Sequence, residues 1–387
     1  MDPVLEREYS GRLENVRKEA LRRGYSCLLI FGLAPRRVGD LMYLTGHQPV
    51  LPGHPRRYNF RGRGMSAIVL SIDQEASLVV TTPFYESDLF IKNIKYGDNL
   101  PEEISKSIKA YGLQKTDIGI VGTDILPVSL YYDLKAELNH ARFFPADDIV
   151  MNLRAAKSPY EIELLRTGAH IADEVSVLLR QFLAPGISEN DVFSFITLEL
   201  TKRGVTGAYA TCQSGWRSER PAFPEASTDK LLENGDLVLM EINGKYQGYM
   251  IDVCRSAVIG KPSVEQLNIL NTDAKIFQAT IAAMRPGISA ESLDKLAADI
   301  AKERGFEHNM TRAFGGPATL LGHAIGLGVD EPPVIALGDK TQLVQGMVIT
   351  IEPGIYDTGF GGCRIEDEIL VTQDGWEDLN QSEYIWW

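Results

Sequence analysis

The sequence predicts a two-domain chain: an α/β domain over residues 1–153, then an internally duplicated α+β domain over residues 158–387. Three observations lead there. Apolar runs of strand length alternate with helical periodicity through the first part, the pattern of an α/β layer. In the second part a helix–turn–helix signature returns after 101 residues. Beyond each copy, acidic residues lie inside apolar runs that otherwise read as buried strands.

In chain order, residues 4–24 show amphipathic helical spacing that stops at Arg22-Arg23-Gly24, a basic last turn with a glycine cap. Residues 26–32, 67–71, 77–81 and 117–122 read as strands, with helices such as Leu130–Leu138 among them. Within this domain residues 54–64 carry four arginines beside aromatic residues in a Gly/Pro-rich loop. An anion-binding surface and a solvated loop both fit that composition.

The second domain opens at Lys157–Glu161, where Ser158 is an N-cap, Pro159 the first helical residue and Glu161 the partner that completes a capping box. Residues 185–204 begin Pro-Gly-Ile-Ser and end Arg-Gly, as do residues 286–305. Each copy follows a helix capped by a serine (Ser158, Ser263), and each opens another at its own serine (Ser188, Ser289). Two copies are too few for a solenoid, so a folded duplication with a site between the halves is expected.

Each copy leads to acidic strands. Leu237–Ile242 carries Glu241 and Tyr249–Ala257 carries Asp252; Asn243-Gly244 and Gln247-Gly248 between them supply turn chemistry, so the pair reads as a hairpin. Further on, Glu352 and Glu366 border or interrupt the apolar runs Met347–Ile351 and Ile365–Val371, and His323 stands between Gly322 and Gly326. A carboxylate in such a setting is costly unless paired or bound to a metal. Glu241, Asp252, His323, Glu352 and Glu366 together offer four carboxylates and one imidazole, a set that calls for one or two divalent ions. Mostly hard oxygen donors favour Mn(II), with Fe(II), Co(II) or Zn(II) as alternatives.

These motifs resemble those of the pita-bread enzymes, the superfamily of prolidase, aminopeptidase P, methionine aminopeptidase and creatinase. The family orders its ligands Asp, Asp, His, Glu, Glu, and the matching positions here are 241, 252, 323, 352 and 366, separated by 11, 71, 29 and 14 residues. The turn after His323, the Thr-Ile-Glu-Pro-Gly stretch at 350–354 and Arg364-Ile-Glu-Asp match in order and spacing over roughly the last 230 residues. The resemblance implies a pita-bread catalytic domain, and the α/β domain before it is one that prolidase- and creatinase-type members have. It also implies metal-dependent hydrolysis of a C–N bond, with Glu352 as both ligand and base. Arg364 is expected to orient carboxylates and help bind substrate.

Three departures bear on the substrate. Glu241 stands where the family has Asp. The peptidases' second His, seven residues past the metal-binding one, is Asp330 here, which could cap its turn or transfer a proton. The loop that carries another peptidase His reads 213–227 without one, and no His occurs between 171 and 307. Arg217 and Arg220 in that loop are either anion grips or partners of Glu219 and Glu225. By resemblance to creatinase-like proteins, Phe60, Arg61 and Arg63 would reach a neighbouring subunit's site and grip a carboxylate, implying a homodimer. The expected substrate is a small anionic compound or a dipeptide. A lyase acting on a small anion and a non-catalytic binding module are the alternatives.

Composition narrows the partners. A net charge of −13 over 387 residues argues against nucleic acid or an anionic membrane. The N-terminus, rich in charge from Asp2 to Glu8 with no apolar core, is expected to hold no signal peptide, and no apolar run is long enough to span a bilayer. Four scattered cysteines without a pairing signature read as reduced, buried thiols in a cytoplasmic protein.

Overall fold

A computed structural model describes residues 3–34, 37–49, 61–81, 89–219, 227–310 and 320–386. The chain divides into two units, Met1–Arg154 and Ala155–Trp387. Among the described residues no helix is long and apolar enough to cross a membrane. All four cysteines are free and buried.

The first unit runs α1 (Pro3–Arg22), β1 (Cys27–Leu33), α2 (Gly39–Thr45), β2 (Met65–Ser71), β3 (Ser77–Val80), β4 (Asn93–Tyr96), α3 (Leu100–Ala110), β5 (Asp117–Val121), α4 (Val128–Glu137), β6 (Arg142–Pro145) and α5 (Asp147–Ala155). Its strands form one sheet in the order β4-β3-β2-β1-β5-β6, antiparallel across β1–β2 and parallel across β1–β5. The central strands are buried along almost their whole length, which is why they read as unbroken apolar runs rather than alternating ones. Ile104 and Ile108 of α3 and Leu130 and Leu134 of α4 close the core over that sheet.

The second unit contains α6 (Pro159–Phe182), α7 (Glu189–Lys202), β7 (Thr206–Ser214), β8 (Leu237–Tyr246), β9 (Tyr249–Val258), α8 (Val264–Ala283) and α9 (Ala290–Glu303). It continues through β10 (Gly322–Ala324), β11 (Glu331–Ile335), β12 (Val348–Ile351), β13 (Gly354–Ile355), β14 (Cys363–Arg364), β15 (Asp367–Val371), β16 (Trp376–Asp378) and β17 (Ile385–Trp386). Two sheets result, β17-β9-β8-β7 and β11-β10-β12-β15-β16. Helices α6 and α7 build one apolar core with the first sheet, and α8 and α9 a second with the other.

The helix starts follow the capping chemistry. Ser158, Ser188 and Ser263 each close a capping box with Glu161, Asp191 and Gln266. Ser289 holds the equivalent position, yet its hydroxyl pairs with that of Ser292 and makes no cap bond.

The duplication extends beyond the helices. Gly186 N donates to Leu232 O and Glu189 N to Lys230 O; Gly287 N donates to Leu343 O and Ala290 N to Thr341 O, the same bonds in the other half. Helical positions therefore repeat at 101 residues and the strands that answer them at 111. With the second offset Gly235 (φ 93°) matches Gly346 (φ 89°), and Glu241 matches Glu352. The two halves meet where Cys254 and Glu366 exchange backbone hydrogen bonds, each 3.2 Å long.

Candidate metal centre

The β8–β9 hairpin fixes where the first two acidic side chains point. Its turn is Gln247-Gly248, with φ of 47° and 90°, the doubly positive geometry of a two-residue hairpin. Asn243-Gly244, expected to share that turn, lies in the ladder instead, with Asn243 opposite Asp252 and Glu241 opposite Cys254. Gly244 serves close packing there, since a Cβ would come within 2.4 Å of Val205 Cγ1. Paired residues and alternate residues share a face, so Glu241 and Asp252 project to the same side.

The other half supplies the remaining donors. His323 lies in β10 and Glu352 directly follows β12. Residues 365–371, expected as one strand, are broken: Glu366 leaves the ladder between β14 and β15 because its backbone pairs with Cys254 of β9.

Asp252, His323 and Glu366 are buried and offer ligand atoms that all lie within 4.8 Å of one another. His323 Nε2 is 3.6 Å from Asp252 Oδ2, 3.5 Å from Glu352 Oε1 and 3.4 Å from Asp330 Oδ1. Those separations exceed good hydrogen bonds. They suit donors that would each stand about 2 Å from a shared ion. Glu241 Oε1 touches Arg364 Nη2, and Arg364 Nη1 is 3.8 Å from Glu352 Oε2.

The electrostatics point the same way. Burial, and then the Glu366 and Glu352 carboxylates, push the Asp252 carboxyl well above its usual range. Burial, followed by Glu366 and Asp330, does the same to Glu352. Arg364 brings one positive charge to four buried carboxylates, and burial itself lowers its pKa. A divalent ion would relieve that mutual repulsion, and a set of carboxylate oxygens with one imidazole has the donor chemistry to hold it.

Around this centre the expected residues fall in different places. Asp330, in the left-handed region at φ 56°, reaches over His323 from the rim with a side chain 67% exposed. Its neighbour Glu331 turns inward, accepting from Gly328 N at 2.8 Å and lying 3.5 Å from Lys157 Nζ. Arg217 Nε donates to Glu189 Oε2 at 3.1 Å. Arg61, in the first unit, is exposed, with Nε 3.5 Å from Asp133, and Arg63 is exposed as well. Phe60 and Arg220 lie outside the described residues.

Two buried anchors escaped sequence reasoning. Arg255, fully buried, lies 2.8 Å from Asp367 and donates to the carbonyls of Cys254 and Glu366 at 3.0 Å each. It thereby clamps the Asp252 strand to the Glu366 segment. The signal was present, since Arg255 is the one basic residue in the run 249–258. Glu189, also fully buried, accepts from the backbone and hydroxyl of both Ser214 and Thr228 besides Arg217. In that way the start of α7 fixes both ends of the loop after β7.

Comparison with known proteins identifies the family and the fold. A family model described as metallopeptidase family M24 matches residues 163–373. An Xaa-Pro dipeptidase of Pyrococcus horikoshii is 30% identical over 347 residues, 89% of this chain and 91% of that protein. An Xaa-Pro dipeptidase of Pyrococcus furiosus is 34% identical over 268 residues, 69% of this chain and 74% of the other. Among solved structures, the prolidase from Pyrococcus horikoshii OT3 superposes with a TM-score of 0.82 at 27% identity, covering 96% of this chain and 99% of that one. For the Xaa-Pro dipeptidase from Bacillus anthracis the TM-score is 0.83 at 26% identity, with 98% and 100% covered.

Proposed function

The chain belongs to metallopeptidase family M24, and from that premise we propose that it hydrolyses a C–N bond in a dipeptide of the Xaa-Pro class or a related small anionic compound. The fold is the pita-bread fold preceded by an α/β domain, and the enzyme is a metal-dependent hydrolase. The observation that carries the reading is the convergence of Asp252, His323 and Glu366 on one point within 4.8 Å.

In this reading those three residues would hold the metal, Mn(II) by preference, with Glu352 and Glu241 beside them. When bound, such an ion supplies Lewis acidity, polarising a carbonyl and making water a better nucleophile near neutral pH. Glu352, with its carboxylate 3.5 Å from His323 Nε2, would take the proton from the attacking water and return it to the leaving nitrogen. Asp330 stands at the rim where a peptidase of the resembled type has a histidine, so its carboxylate would meet substrate. That exchange disfavours a negatively charged group at that point of the substrate and favours a neutral or cationic one. The arginines at 61, 63 and 220 and Phe60 would form the anion-binding set, those of the first unit acting across a homodimer, while Arg217, expected in that set, is engaged by Glu189.

Chelator-treated protein should lose hydrolysis of Xaa-Pro dipeptides and regain it with Mn(II), and His323→Ala should lose both bound metal and turnover. Metal-loaded protein that leaves every Xaa-Pro dipeptide intact would remove the dipeptide from the proposal. Release of an alkene in place of an amine and a carboxylate would replace hydrolysis with elimination, for which the exposed Asp330 carboxylate is the candidate base.

A further inference from the structure

We propose that Glu219 is a positioning residue: its carboxylate, seated on the backbone amides of the 357–361 turn, sets the course of the loop after β7 and through it the affinity for substrate. For its kinetic consequence the inference rests on the hydrolase reading above, and it goes beyond that reading in naming a residue outside the metal centre.

The turn has the geometry of an anion receptor. Residues 357, 359 and 361 have φ of 55°, 81° and 102°, while Thr358 and Phe360 between them stay outside the left-handed region. A backbone that alternates between the two hands aims successive N–H groups into one concavity. The stretch Asp357-Thr-Gly-Phe-Gly361 places a residue type that tolerates positive φ at every second position. Thr358 closes the turn, its hydroxyl donating to Gly361 O at 2.7 Å and accepting from Phe360 N at 3.1 Å.

Glu219 fills that concavity. Its Oε2 accepts from Thr358 N and its Oε1 from Gly361 N, both at 2.6 Å, and its carbonyl accepts from Asp357 N at 3.0 Å. Amide bonds to an ionised carboxylate are shorter and roughly twice as strong as those between neutral groups. Beside it the fully buried Ser218 hydroxyl accepts from Gly362 N at 3.0 Å and donates to Gly215 O at 2.7 Å. A Cβ on Gly362 would lie 2.2 Å from Ser218 O, so the two segments meet backbone to backbone.

The supports on either side are independent of this contact. Glu189 holds the two bases of the loop, at Ser214 and Thr228. The Ser256 hydroxyl holds β14, which follows the turn, through bonds of 2.9 and 3.1 Å, and Glu366 is held by the Cys254 backbone and Arg255. Removing the Glu219 carboxylate therefore leaves the metal ligands in place and releases Ser218, Glu219 and the chain that continues from them. In the resembled peptidases that loop carries a histidine, so its displacement is expected to weaken substrate binding and to spare metal binding.

The test uses the full chain and Glu219→Ala, which empties the concavity and leaves its amides intact. Bound Mn(II) per chain and kcat for an Xaa-Pro dipeptide should match the unaltered protein. KM should rise about tenfold, because losing two charge-assisted bonds leaves the loop correctly placed only part of the time. Acetate, a free carboxylate, should restore KM, and chloride at equal ionic strength should not. Trp216, 74% exposed and three residues before Glu219, reports without turnover. Its fluorescence should shift in metal-free Glu219→Ala and return with acetate, and adding Trp216→Phe should abolish that response. An unchanged KM, a raised KM that ignores acetate, or a loss of bound Mn(II) would each overturn the inference. If the unaltered protein cleaves no Xaa-Pro dipeptide, the hydrolase reading of the substrate fails, and the acetate response of Trp216 alone decides whether Glu219 holds the loop.

Discussion

Replacing Arg255 by Met tests the clamp that joins the two halves. In the intact protein Arg255 Nη1 is 2.8 Å from Asp367 Oδ1, and the same nitrogen donates to the Cys254 and Glu366 carbonyls. Burial, opposed by Arg255, raises the Asp367 carboxyl to about 6 from 3.8. A carboxyl raised on folding costs stability as pH climbs from its unfolded value to its folded one, and nothing further beyond. Without Arg255 the carboxyl would still be protonated at pH 7, so that loss continues for one more unit, about 1.4 kcal/mol. The Cys254 and Glu366 carbonyls keep the backbone donors they exchange, so losing the guanidinium's bonds to them adds about 0.5 kcal/mol each, for a total of about 2–3 kcal/mol. That reaches only the lower end of the range of about 3–5 kcal/mol for breaking one side of a buried ion pair. In a unit of this size the melting temperature should fall by about 4–12 °C at pH 7. At pH 5 both proteins keep Asp367 protonated to a similar degree, so the deficit should shrink by about 1.4 kcal/mol. Urea unfolding of the metal-free proteins at both pH values measures this. A deficit under about 1 kcal/mol at pH 7, or one unchanged at pH 5, would refute the assignment of Arg255 as the clamp.

Two further perturbations follow from the same neighbourhood. Burial, and then Asp367, raise the Asp378 carboxyl to about 8 from 3.8, so the unaltered protein should lose stability as pH rises between those values. Asp378→Asn keeps the oxygen that accepts from Asn380 N and removes the charge; its advantage in urea midpoint should be largest at pH 8 and vanish near pH 4, and parallel pH profiles would contradict the cause given. At Gly322 a Cβ would lie 2.0 Å from Thr350 O, a backbone atom that cannot step aside, so Gly322→Ala should push β10 from β12 at His323. The expected cost is about 1–3 kcal/mol in thermal unfolding, with Mn(II) affinity reduced more than tenfold; a variant with unaltered affinity would mean that the strand spacing does not place His323.

What could be read without coordinates was local chemistry. The capping boxes at Ser158 and Ser263, the hairpin and the apolar runs each depend on residues close in sequence, whose types state their roles. Spatial demands were harder to see. Gly244 looks like turn punctuation because its real reason, the approach of Val205 Cγ1, comes from a residue 39 positions away. Likewise Glu366 interrupts an apparent strand only because β9 captures its backbone. Arg217 finds a partner, Glu189, that no sequence spacing proposes.

The duplication shows most clearly why part of the centre was hidden. A single offset of 101 aligns the helix pairs and then fails, because the answering strands are shifted by a further ten residues to 111. Only the second offset reveals Glu241 and Glu352 as counterparts, each standing the same distance after a positive-φ glycine, Gly235 or Gly346. A twofold-repeated glutamate facing a centre with only one Arg364 breaks the symmetry. The guanidinium contacts Glu241 directly, while Glu352 stays 3.8 Å away and within 3.5 Å of His323. The arginine thus turns two equivalent carboxylates into unequal ones, one engaged with a fixed cation and the other left beside the imidazole. Two distinct roles follow from one repeated residue because the environment, not the residue type, separates them.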